Sequence, residues 1–127
     1  MARPAVIPTA LLALMRELRH HAWSFEDLHA ALAQRGVAAD FSSVFRAAEK
    51  LVARGDIRKL MLEDGRARFE LPDAHHDHLY CTRCGELVPI PCVFGPSDVA
   101  ALERETEIAV LSHQIVLNGI CRECRAA

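Results

Sequence analysis

Cys81-Thr82-Arg83-Cys84-Gly85 and Cys121-Arg122-Glu123-Cys124 are two C-x-x-C pairs with 36 residues between the second and third cysteine. Zinc favours four thiolates in a closed tetrahedron, and a two-residue spacer lets both sulfurs of a pair reach one ion while the knuckle amides point at sulfur. Gly85 suits the positive φ that such a knuckle adopts. A redox C-x-x-C needs one reactive pair at a strand-to-helix junction, whereas two pairs of the same form point to structural zinc. The fifth cysteine, Cys92, follows Pro91 and has no partner at knuckle spacing. The expectation for it is a buried small hydrophobe or an adventitious thiol.

Just upstream of Cys81 lie His75, His76 and His78, with Asp77 among them. In an extended segment His76 and His78 point to one face and His75 and Asp77 to the other, so two metal sites could use the two faces. Neutral imidazole with carboxylate suits Zn(II), Fe(II) or Mn(II), and such a set is less zinc-exclusive than thiolates. His20 and His21 end a first helical segment, where imidazolium near the carbonyl terminus is favourable, so capping is their simplest role. His29 is expected on the exposed face of a second helix. Trp23, the only tryptophan, is expected to pack at a helix junction.

The elements that would position these groups follow from periodicity. Leu11, Leu14, Met15 and Leu18 give residues 9 to 20 one apolar helical face. Ser24 followed by Asp27 resembles a capping box for a second helix that buries Leu28, Ala31 and Leu32 and ends at Gly36. Ser42 or Ser43 caps a third helix with Val44, Ala47, Ala48, Leu51 and Val52 inward and Gly55 as its stop. Residues 57 to 62 and 66 to 71 flank Asp64-Gly65 as a hairpin. Three short helices and a hairpin are the winged helix-turn-helix plan, in which the third helix enters the major groove.

Pro72, Asp73 and Ala74 break the pattern. The expected organisation is a winged-helix domain over 1–71, a hinge over 72–76 and an α+β domain over 77–127. In the last, strands are expected at 78 to 81, 86 to 90 and 108 to 117, with a helix from near Ser97.

Composition narrows the function classes. The 127 residues carry a formal net charge of −2, and 51% are hydrophobic. Residues 1 to 70 hold eleven Lys/Arg against nine Asp/Glu, and residues 71 to 127 hold four against eight, so only the first half is suited to face phosphate. No run of eighteen apolar residues and no signal-peptide pattern occurs, so the expected location is cytoplasmic, a reducing compartment where paired cysteines bind metal. H-E-x-x-H is absent, as is H-x-E paired with P-C-x-x-C, and four thiolates leave no open metal position for substrate. An enzyme is therefore not expected.

The segments SFEDLHAAL, SSVFRAAEKLVARGDI, FELPDAHHDHLYCTRCG and HQIVLNGICREC together resemble the Fur family of metal-dependent transcriptional repressors. The resemblance implies a winged-helix DNA-binding domain, an α+β dimerisation domain, and a homodimer that binds double-stranded operator DNA when a regulatory divalent metal, Fe(II), Mn(II) or Zn(II), occupies the hinge. Cys81, Cys84, Cys121 and Cys124 match its structural zinc ligands. Glu70, His76 and His78 match its hinge site, with His21 as the candidate further ligand because the usual histidine falls at Ala22. His75, Asp77 and His113 match an additional site. The glutamate that normally completes it falls near Pro96, leaving Asp98 or Glu103 as replacements, and an acidic position falls at Pro89. The family's T-V-Y-R is Ser43-Val44-Phe45-Arg46 here, and Ser42, Ser43, Phe45, Arg46 and Lys50 are the expected DNA-facing residues. The alternative is a zinc-stabilised interaction module with weak or no DNA binding, consistent with the near-neutral N-terminal half.

Overall fold

The computed structural model describes residues 3, 5–18, 22–73 and 75–127. The chain is α+β and divides into two compact units, Met1–Asp73 and Ala74–Ala127. Among the described residues no helix is long and apolar enough to cross a membrane.

In the first unit, helices α1 (Val6–Leu18), α2 (Phe25–Gln34) and α3 (Phe41–Arg54) precede strands β1 (Arg58–Met61) and β2 (Ala67–Glu70). This is the winged-helix plan. Each helix contributes its apolar stripe to one core: Leu11 and Leu14 from α1, Leu28 and Leu32 from α2, Val44 and Leu51 from α3, with Ile57 and Phe69 below them. The helix α1 starts at Val6, earlier than the apolar period implies, because Pro8 is tolerated in a first turn whose amides need no intrahelical partner.

The capping box of α2 forms as expected: the Asp27 amide donates to Ser24 Oγ at 3.0 Å and the Ser24 amide to Asp27 Oδ2 at 3.1 Å. The cap of α3 is Asp40 and not Ser42 or Ser43. Its Oδ1 accepts the Ser43 amide at 2.7 Å and the Ser42 hydroxyl at 2.9 Å, which draws both serines into the first turn. Gly55 ends the helix at φ 79°, as only glycine does cheaply. His29 is half-buried and not on the open face, stacking on Phe41 at 4.3 Å with a ring nitrogen 2.9 Å from the Ala39 carbonyl.

In the second unit, β3 (Asp77–Cys81) is the centre of a three-stranded sheet ordered β4-β3-β5. Strand β4 (Leu87–Ile90) pairs antiparallel and β5 (Val116–Gly119) pairs parallel to it. Pro89 is accommodated because β4 is an edge strand. Between β4 and β5 lies α4 (Pro96–Thr106), and α5 (Arg122–Ala126), which periodicity did not predict, closes the chain. The strand expected over 108 to 117 reduces to Val116–Gly119. The apolar run Ile108 to Leu111 has strand-like composition but finds no ladder, and composition alone does not make a strand.

Candidate metal centres and recognition helix

The first centre is built by the two C-x-x-C knuckles. Cys81 ends β3, and its carbonyl accepts the Gly85 amide at 2.9 Å, with Gly85 at φ 82°. The parallel ladder pairs Cys81 with Gly119, which carries Cys121 and Cys124 to the same end of the sheet. One sulfur from each of the four cysteines then lies within 4.8 Å of every other, and Cys84 Sγ is 3.8 Å from Cys121 Sγ. Zinc–sulfur bonds at tetrahedral angles set sulfurs about 3.8 Å apart, so the residues fit the ion. The amides of Cys84 and Cys121 pull the Cys81 thiol down to about 6, and the Cys121 amide donates to Cys81 Sγ at 3.3 Å. Crowding by the other sulfurs, Cys121 first, together with burial pushes the Cys124 thiol up to about 12. Four thiolates packed this closely would repel one another, and a zinc ion among them would offset that repulsion and displace the thiol protons.

The second cluster uses the other face of the strand start. His75, Asp77, Cys92 and His113 each direct one donor atom into a group within 4.8 Å. His75 Nε2 is 2.8 Å from His113 Nε2, and both lie near Asp77 Oδ1, at 3.5 and 3.6 Å. The Asp77 side chain is fully buried, and its Oδ2 accepts the Val93 amide at 2.8 Å. Cys92 is exposed, in contrast to the expectation of a buried hydrophobe, and its Sγ lies 3.3 Å from His113 Nε2. Neither expected replacement for the family's glutamate joins the group. Asp98 Oδ2 accepts the Gly95 amide at the start of α4, and Glu103 Oε2 accepts the Val110 amide, so both are committed to local backbone.

His76 and His78 share a face of the same segment, their ring centroids 4.7 Å apart, with His78 buried. In the first unit Glu70 is buried at the end of β2, its Oε1 3.6 Å from Arg58 Nε. His20 and His21 lie outside the described residues.

On α3, Ser42, Phe45, Arg46 and Lys50 are exposed and Ser43 is half-buried, opposite the stripe that enters the core. Arg46 Nη2 donates to Ser43 Oγ at 3.3 Å, and the Phe45 ring lies 5.2 Å from that of Phe25 while remaining 49% exposed. A helix that offers hydroxyls, an aromatic edge and two cations outward has the chemistry of a major-groove reader.

Residues 8–118 match the model of the ferric uptake regulator family. The ferric uptake regulation protein of Bordetella parapertussis is 35% identical over 116 residues, covering 86% of this chain and 78% of that protein. The Helicobacter pylori ferric uptake regulator Fur, which has three functional metal binding sites, superposes with a TM-score of 0.80 at 21% identity, covering 94% of this chain and 79% of the other. A zinc uptake regulator complexed with zinc and DNA superposes with a TM-score of 0.65 at 22% identity, covering 94% and 81%. With the winged-helix unit, the tetracysteine centre and the family match over most of its length, the chain belongs to the ferric uptake regulator family, whose members are metal-dependent transcription regulators and not enzymes.

Proposed function

We propose that the protein is a metal-responsive repressor that binds operator DNA as a homodimer, with Glu70, His76 and His78 as the ligands of its regulatory metal. The observation that carries this reading is the outward face of α3, where Ser42, Ser43, Phe45, Arg46 and Lys50 sit opposite a fully formed core on a winged-helix unit. The DNA-bound zinc uptake regulator of the same fold supports it.

The dimer reading is supported by the sheet of the second unit. Leu79 on β3 pairs with Val88 on β4 and with Leu117 on β5, a lateral apolar row exposed by 43%, 40% and 43%. Among the described residues none of α4 is buried. A unit that leaves this much apolar surface open gains stability by covering it with a second copy, and recognition helices of a two-fold dimer reach successive major grooves.

For regulation, Glu70 closes the wing and His76 and His78 open the following unit, so a ligand set drawn from all three couples the two segments in sequence. A divalent cation on these residues supplies the cross-link that selects the DNA-binding arrangement. A coupling of roughly 1 to 3 kcal/mol suffices, and by linkage DNA tightens metal binding equally. The histidine and carboxylate donors fit Fe(II), Mn(II) and Zn(II).

The test is binding to DNA from the protein's own promoter region after separate loading with each of these metals, with metal counted per chain. His76→Ala is expected to lower metal-dependent affinity while the tetracysteine zinc stays. Equal binding by apo, loaded and variant protein overturns the reading, and a loss of all DNA binding selects the interaction-module alternative.

A further inference from the structure

We propose that His75, Asp77, Cys92 and His113 form a four-donor metal site within the second unit, and that the Cys92 thiolate makes Zn(II) its metal in preference to Mn(II). The inference rests on reading His75, Asp77 and His113 as metal ligands, and it adds the fourth donor and the identity of the ion.

Strand register is what brings Cys92 in. In the antiparallel ladder Asp77 faces Ile90, so the same register carried two positions outward sets His75 opposite Cys92. In the parallel ladder His78 faces Val116, and the same offset sets His75 beside His113. Three donors therefore fall in one row across the sheet end: Cys92, His75 and His113. Asp77, two residues along the central strand from His75, points to the same face and contributes the carboxylate. The contacts agree, with Cys92 Sγ 3.3 Å and His75 Nε2 2.8 Å from His113 Nε2.

Asp77 Oδ1 is the independent sign of a ligand. Its side chain is 0% exposed, and Oδ1 has no hydrogen-bond partner among the described residues although two imidazole nitrogens stand 3.5 and 3.6 Å away. One N–H shared between the imidazoles satisfies that pair and leaves the carboxylate oxygen unpaired, at a cost that buried oxygens rarely bear. A cation amid the four donors satisfies Oδ1, both imidazoles and the sulfur together. Tetrahedral bonds to nitrogen, oxygen and sulfur place donors about 3.3 to 3.8 Å apart. The Cys92–His113, His75–Asp77 and His113–Asp77 separations of 3.3, 3.5 and 3.6 Å fall in that range, while the two imidazole nitrogens, 2.8 Å apart, stand at hydrogen-bond distance and part by about half an ångström to admit an ion.

Charge and softness select the ion. An ionised Asp77 and a Cys92 thiolate beside two neutral imidazoles balance a dication, which leaves no net charge at a buried carboxylate. The Cys92 thiol donates to the Phe94 carbonyl at 3.0 Å, and on metal binding that proton leaves to solvent. Four donors that include sulfur suit Zn(II), whereas Mn(II) favours oxygen-rich, six-coordinate sites. His75 and Cys92 are exposed, so the ion has a path from solvent.

Cobalt(II) titrated into full-length protein that retains its structural zinc tests this. Cobalt bound by thiolate absorbs in the near ultraviolet through sulfur-to-metal charge transfer, which histidine and carboxylate ligands alone do not produce. The expected result is such a band, lost in Cys92→Ser and His113→Ala and retained in His76→Ala, with the zinc content unchanged throughout. The preference for Zn(II) over Mn(II) is expected to fall roughly a hundredfold in Cys92→Ser. Cobalt binding that depends on Asp77 and His113 but shows no band, or a band that survives Cys92→Ser, overturns the proposal and leaves the three-ligand reading intact. Cobalt binding indifferent to both Asp77→Asn and His113→Ala overturns that reading as well.

Discussion

Trp23 and Phe69 exchange both of their backbone hydrogen bonds, the Trp23 amide donating to the Phe69 carbonyl at 2.8 Å and the Phe69 amide to the Trp23 carbonyl at 2.7 Å. The segment leading into α2 thereby pairs with β2 and fastens the wing to the helices. The Phe69 ring is completely buried and meets Phe25 edge-on at 4.8 Å. Phe69→Ala is expected to destabilise the first unit by about 3 to 5 kcal/mol, since it empties an aromatic site at the centre of the core. Trp23, as the only tryptophan, reports the transition by fluorescence in denaturant.

Removal of a zinc ion held by Cys81, Cys84, Cys121 and Cys124, the ion that these knuckles fit, is expected to unfold the second unit selectively. Among the described residues its buried side chains are Asp77, His78, Tyr80 and Cys81, so a metal ion on the knuckles would stand in for a core of ordinary size. Chelation under reducing conditions, or Cys124→Ser, should remove part of the far-ultraviolet circular dichroism while Trp23 fluorescence in the first unit stays native. Simultaneous loss of both signals would contradict this division.

Acid should weaken the start of α3. The Ser43 hydroxyl and amide, followed by the Ser42 hydroxyl, hold the Asp40 carboxyl below its ordinary value of 3.8. A depressed folded-state value means the contribution is complete above pH 3.8 and is lost as pH falls through the lower, folded-state value. Asp40→Asn keeps a cap without the titration, so its thermal midpoint should fall less steeply than the parent's over that window.

Arg46 and Lys50 carry the charge on the outward face of α3. If they contact phosphate, Arg46→Ala or Lys50→Ala should each reduce the slope of log affinity against log salt by about one unit, with affinity lowered on all DNA sequences. A base contact from Arg46 would instead relax specificity at one operator position and leave the slope unchanged. A salt titration on two operator variants separates these outcomes.

The features legible from sequence were those with a short physical range. A C-x-x-C knuckle closes within five residues, a capping box within four, and an apolar stripe within a few helical turns. The cysteine quartet, the three helices and the wing hairpin could therefore be read from spacing. Where several local solutions competed, spacing did not choose. Asp40, Ser42 and Ser43 are all capable caps, and the apolar composition from Ile108 to Leu111 was compatible with a strand that has no partner to pair with.

The tetracysteine centre was thus determined by the sequence itself, because each half is a local motif that only needs a fold to bring it to the other. The membership of Cys92 in a second cluster was decided by tertiary structure. It follows from the offsets of two ladders on either side of β3, one antiparallel and one parallel, and a register set by core burial and chain connection leaves no local trace around Cys92.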